Sequence, residues 1–304
     1  MMNRNRIKAL LLFAVFISGA AHAAAAAETG GIQDHRHHMP GHTHAARPDE
    51  VKAGISTEPK DVVAGRPAVI LVSLMEPDGK PMENLSIHHD RLVHVVIASR
   101  DFSVFAHIHP EDFGPVTPEM KKAARYPVRF TFPKGGQYII GIDFAAGDRT
   151  FSRRFLVDVS GEPRTGPPRK DLSKEKSFGD LDVSLSYVPE HIAAGKEATL
   201  TYMFRTKNGP ATDLEPYLSA PMHLAIISAD LTRFIHTHGE LPAMMSMGHD
   251  SHNHTMEMHM QVPEKFGPKI EAHAVFPAKG LYMIFGQVGH KGKVIDTGFM
   301  VEVE

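Results

Sequence analysis

The stretch "HVVIASRDFSVFAHIHP", residues 94–110, returns as "HLAIISADLTRFIHTHG", residues 223–239. Each is an apolar run, a polar centre and a second apolar run, the pattern of an antiparallel hairpin. His107 and His109 are two apart on one strand and therefore share a face, as do His236 and His238. Across a hairpin loop of even length the paired residue numbers have an odd sum. His94 then stands opposite His107 or His109 on that same face, and His223 stands likewise to His236 or His238. The spacing from the first histidine to the second is 13 residues in both stretches. Neighbours have changed between them (Val93 to Met222, Val104 to Arg233, Ile108 to Thr237) while all three histidines have stayed.

Outward from these hairpins the whole chain aligns with itself. "VKAGISTEPKDVVAGRPAVILVSLMEPDGKP" matches "LDVSLSYVPEHIAAGKEATLTYMFRTKNGP", and "VRFTFPKGGQYIIGIDF" matches "AHAVFPAKGLYMIFGQV". In the first copy, strands are expected near 51–58, 67–76, 91–99, 104–109, 127–133, 137–144 and 150–159. About seven short strands in about a hundred residues, with no sustained helical period, predict an all-β chain: a tandem duplication of an immunoglobulin-like β-sandwich. Gly136 and Gly280, in "FPKGGQY" and "FPAKGLY", suit the positive φ of a tight hairpin. Asp101 and Asp230 fall in the turns between the histidine strands, where an Asx-turn is their expected role.

The boundaries read as residues 48–160 for the first repeat and 178–304 for the second. "GEPRTGPPRKDLSKEK" makes 161–177 a linker, being rich in Pro and charge. Residues 24–47 form a His-rich tail that cannot bury a core. Residues 1–23 read as a signal peptide: Arg4, Arg6 and Lys8 precede an apolar run too short to span a bilayer, and Ala21-His22-Ala23 is a small-x-small cleavage site. A periplasmic or secreted location is therefore expected, with no later segment apolar for long enough to span a membrane. Removing the signal takes the formal net charge from −2 to −5, which argues against a nucleic-acid partner.

Composition points to metal. The chain has 21 His and 16 Met but no Cys and no Trp, within an ordinary 42% hydrophobic and 22% charged content. Three imidazoles converging on a rigid hairpin, His94, His107 and His109 or His223, His236 and His238, form a competent zinc or copper(II) site. Phe105 and Phe234 share the His-x-His face, so that face is partly buried, and burial keeps an imidazole neutral and able to ligate.

The second copy also carries an insertion at about 240–268. Within it "MMSMGHDSHNHTMEMHM" holds Met244, Met245, Met247, His249, His252, His254, Met256, Met258, His259 and Met260. Their neighbours are Gly, Asp, Ser and Asn rather than apolar residues, so a loop fits better than a core. Thioethers are soft ligands that favour copper(I).

The element D-x-x-x-F-x-H-x-H (Asp101 to His109, Asp230 to His238), with the strand before it and FP-x-x-G-x-Y after it, resembles exported immunoglobulin-like sandwich proteins of heavy-metal contexts, YtkA-like ones among them. The Met-rich loop and Cys-free sandwich are similar, more loosely, to CopC-type periplasmic copper carriers, though the ligand spacings differ. The resemblance and the ligands together imply a metal-binding protein. Its expected cargo is copper, with zinc or another divalent metal as alternatives, buffered or passed to a metal-transport or resistance protein. Two other classes stay open. One is an extracytoplasmic metalloenzyme, for which no acid, base or nucleophile can be assigned from the sequence. The other is a metal-independent adhesion or scaffold module, which the fold permits but which leaves the insertion unexplained.

Overall fold

The computed structural model describes residues 51–242 and 262–304. The signal segment, the His-rich tail and the whole run from Met244 to Met260 lie outside the described residues. In the first copy, β1 (Lys52–Glu58), β2 (Pro67–Met75) and β5 (Arg125–Thr131) make one antiparallel sheet in the order β1-β2-β5. β3 (Val93–Ser99), β4 (Phe105–Ile108), β6 (Gly136–Ala146) and β7 (Arg149–Val159) make the other in the order β4-β3-β6-β7. Between the sheets lie Ile70, Val72, Tyr126, Val128, Ile140, Ile142 and their neighbours. This is the immunoglobulin-like sandwich that about seven short strands in about a hundred residues predict.

The second copy repeats it with a few additional strands. β9 (Leu181–Val188), β10 (Glu197–Thr206) and β15 (Lys269–Val275) stand for β1, β2 and β5, joined by β8 (Glu175–Phe178) and the short β11 (Gly209–Pro210). β13 (Met222–Ser228), β14 (Phe234–Gly239), β16 (Gly280–His290) and β17 (Lys293–Val303) stand for β3, β4, β6 and β7, with the short β12 (Leu214–Glu215) at the edge of β16. Strand β8 occupies the end of the segment expected to be linker. It pairs Glu175 to Phe178 with residues Leu181 to Ser184 of β9. Met222 is fully buried in the second core, on the opposite face of β13 from His223.

One expectation is corrected. "FPKGGQY" and "FPAKGLY" do not close hairpins: β5 pairs with β2 while β6 pairs with β3, and β15 and β16 likewise belong to different sheets. Gly136 and Gly280 do take positive φ, +116° and +135°, but they turn the chain from one sheet to the other. Tyr138 and Tyr282 fix that crossing by donating their hydroxyls to the Lys134 and Ala278 carbonyls, each at 2.8 Å. The short spacing hid this, because a tight turn between sheets and one between paired strands use the same residues.

β3 and β13 are buried along their whole length, which explains their near-continuous apolar sequence. One face of each packs into its own sandwich, and the other packs against the opposite copy. Val96, Ala98, Phe102 and Ile139 of the first copy join Ala225, Ile227, Leu231, Phe234, Phe285 and Met300 of the second in a third apolar cluster. Phe105 stacks on Phe285 with ring centroids 4.2 Å apart. Phe234, its counterpart, lies over Gly141, where any Cβ would collide with the ring. Gly141 and Phe285 occupy matching positions in β6 and β16, so the two copies meet through equivalent faces. Replacing Gly141 by Val should unseat Phe234 and cost about 1–3 kcal/mol, read as a lower urea midpoint. An unchanged midpoint would contradict this seat.

Candidate metal centre

The hairpins place the histidines. In the first copy Val95 pairs with Ile108 and Val96 with His107, a register that sets His94 beside His109. In the second, His223 pairs directly with His238, and Ala225 with His236. The odd pairing sum expected from the loop length is the one observed, and all three rings of each copy share the face that meets the other copy. His94, His107, His109, His223 and His236 are each no more than 7% exposed. The turns stay rigid through Asp101, which accepts from Ser99 and Ser103, and Asp230, which accepts from Ser228 and Thr232. These aspartates are the structural caps that the sequence suggested.

In the first triad the inward nitrogens form a nearly equilateral triangle. His94 Nδ1 lies 3.1 Å from His107 Nε2, and His109 Nε2 lies 3.2 Å from each. Each outward nitrogen faces an atom that only accepts. His94 Nε2 meets the His88 carbonyl at 2.9 Å, His107 Nδ1 meets Gln287 Oε1 at 2.8 Å, and His109 Nδ1 meets Asp112 Oδ2 at 3.1 Å. The Gln287 amide is oriented by its own donation to Asp296 Oδ1 at 2.7 Å. In a neutral ring the proton is therefore outside and the lone pair inside. Three lone pairs then converge where no donor stands between them, so the short distances are not hydrogen bonds. A cation at their centre removes that repulsion. Tetrahedral coordination at about 2.0–2.1 Å requires nitrogens about 3.3–3.4 Å apart, close to the spacing present.

In the second triad the His238 ring centroid stands 4.6 Å from that of His223 and 4.9 Å from that of His236. His223 Nδ1 and His236 Nε2 are 3.5 Å apart, and His223 Nε2 faces the Leu218 carbonyl at 3.3 Å. His236 Nδ1 lies 3.3 Å from Asp143 Oδ2. His238 Nε2 is buried with no hydrogen-bond partner among the described residues. The outer partners cross between copies: Gln287 of the second holds His107 of the first, and Asp143 of the first faces His236 of the second. Such outer partners fix tautomer and ring orientation at metal sites.

Two groups of nitrogens lie mutually within 4.8 Å: one from His94, His107, His223 and His236, and another from His89, His223 and His238. His89 escaped the sequence reading, as did Asp112, Asp143 and Gln287. His88 and His89 precede β3 in a turn matched in the second copy by Tyr217 and Leu218, so the repeat gave no histidine signal there. Asp143 and Gln287 were visible as aligned positions, but their role depends on how the copies dock. Met244, Met245, Met247, His249, His252, His254, Met256, Met258, His259 and Met260 lie outside the described residues.

Burial favours the neutral form at six of these rings. It pushes His94, His107, His223 and His238 well below the ordinary imidazole value, with repulsion between neighbouring rings adding to it. His89 falls to about 3, and His109 to about 4 because Asp112 partly opposes the burial. Asp143, although buried, is held below the usual carboxylate range by His236 and Ser152, which outweigh the opposing effect of burial. Neutral imidazole is the form that ligates a metal.

Residues 45–161 and 176–304 each match the model of a family described as "Domain of unknown function (DUF8832)", one match per sandwich, and the chain belongs to that family. No curated protein matches its sequence. Among solved structures, the adhesin InvE of Yersinia pseudotuberculosis is 9% identical, with 83% of this chain and 60% of that one covered at a TM-score of 0.23. The Escherichia coli adhesin FdeC is 11% identical, with 83% and 64% covered at 0.25. Domains 4 and 5 of the S-layer protein SbsC are 9% identical, with 84% and 97% covered at 0.21. The chain thus spans less than two thirds of the length of either adhesin. Among the described residues no helix is long and apolar enough to cross a membrane.

The depressed histidines set an acid limit on the metal-free protein. Unfolded rings take up protons as pH falls through about 6.5, while the folded rings stay neutral. The unfolded state then binds more protons, and stability is lost as pH falls further toward the folded values. Denaturant unfolding in a chelator should show the free energy dropping steadily from pH 7 to pH 5. A flat profile would mean that the rings are not held neutral.

Proposed function

We propose that this DUF8832 chain is an exported metal-binding protein that holds copper between its two sandwiches and buffers it or passes it to a transport or resistance protein. The observation that carries the reading is the convergence of three inward lone pairs on His94, His107 and His109, each fixed by an acceptor behind the ring. A strand face built only to be polar would meet water, whereas these rings are buried. All-imidazole sites accept copper(II) and zinc, and the Met-rich run 244–260 adds ligands for copper(I). Export rests on the basic, apolar and small-x-small pattern of residues 1–23, and no catalytic role is assigned.

The apolar contact between the copies supports a second reading. Phe105 on Phe285 and Phe234 on Gly141 would lock the sandwiches together without any metal, as in a rigid surface or adhesion module. Metal titration separates the two. The carrier reading expects tight copper binding that falls at least about 100-fold when His94 and His223 are both replaced by Ala, with the fold retained by circular dichroism. Equal, weak binding by both proteins would leave the module reading. Replacing Gln287 by Leu should weaken binding about 10–100-fold, through His107 on the other copy. Unchanged affinity would remove Gln287 from the site.

A further inference from the structure

We propose that the two triads are halves of one centre holding a pair of copper ions, one ion per triad, rather than two independent sites. This rests on the metal-binding reading above. The observation behind it is the waist of the centre, where nitrogens of His94 and His107 from one copy and His223 and His236 from the other all lie within 4.8 Å of one another. Across the copies the rings themselves stand close: His94 to His236 is 5.1 Å between centroids, His107 to His236 is 5.2 Å, and His107 to His223 is 5.5 Å. His109 completes a triad on one side of this waist and His238 on the other. An ion on each triad would then have the other ion as a near neighbour, in the range of paired metal sites, about 3.5–4 Å.

The surroundings suit a pair. Asp112 behind His109 and Asp143 behind His236 each place a carboxylate on the outward nitrogen of a ligand. They supply two negative charges, which match two monovalent ions. For two divalent ions, a bound water that releases its proton to solvent would supply one further negative charge as hydroxide. The crossed outer partners tie the halves further, because one ring of each triad, His107 and His236, faces a residue of the opposite copy. In the second half His89, with its ring centroid 3.7 Å from that of His238, offers an additional nitrogen. Neither copy alone contains a whole centre.

Electron paramagnetic resonance of the full chain tests this. The protein is loaded with copper(II), loosely held ions on the tail are removed with a glycine competitor, and bound copper is compared with spin concentration. A bridged pair gives about two ions per chain, with far fewer than one spin per copper or a half-field transition. His94→Ala and His223→Ala should each remove one ion and restore about one spin per remaining copper. Two ions with one full spin each in the wild type would overturn the pairing, and so would a single ion shared by four rings. Either outcome would leave the carrier reading standing. Absence of any histidine-dependent copper would overturn both.

Discussion

The structure depends on six imidazoles held between two β-sheets, five of them buried where water cannot solvate them and the sixth, His238, half-buried. A neutral ring buried with both nitrogens unsatisfied is costly, and a buried charged ring costs more. At five of the rings the chain meets the first cost on the outer side, with the His88 and Leu218 carbonyls, the Gln287 amide and the Asp112 and Asp143 carboxylates. Meeting it there forces the remaining lone pairs inward. The convergence of the inward nitrogens is thus a consequence of how the rings are buried.

Docking of the copies makes that burial complete. The apolar cluster of Phe102, Phe105, Leu231, Phe234 and Phe285 occupies the same sheet faces as the histidines. The contact that excludes water therefore also sets the distance between the triads. At matching positions one copy has Gly141 and Asp143, the other Phe285 and Gln287. The pseudo-symmetric pair is thus unequal in detail: the first triad is the tighter, and the second has a carboxylate behind His236 where the first has an amide behind His107.

Much of this was legible in the sequence. Self-alignment exposed the duplication, short apolar runs without a helical period exposed the sandwich strands, and the parity of the hairpin loop put His94 on the same face as His107 and His109. What escaped was whatever depends on one sheet meeting another. The turns at Gly136 and Gly280 looked like hairpins because local residues cannot say which sheet a strand will join. Asp143 and Gln287 act on rings of the opposite copy, and no spacing along the chain encodes that. His89 was missed because its counterpart is Leu218, so the internal repeat, the strongest signal available, was silent there.

The most direct measurement is a crystal structure of the copper-loaded protein with anomalous diffraction at the copper edge. The account predicts an anomalous peak about 2.0–2.1 Å from His94 Nδ1, His107 Nε2 and His109 Nε2, with the outer contacts to His88, Gln287 and Asp112 intact. Copper found only on exposed histidines, with these six rings unliganded, would contradict it.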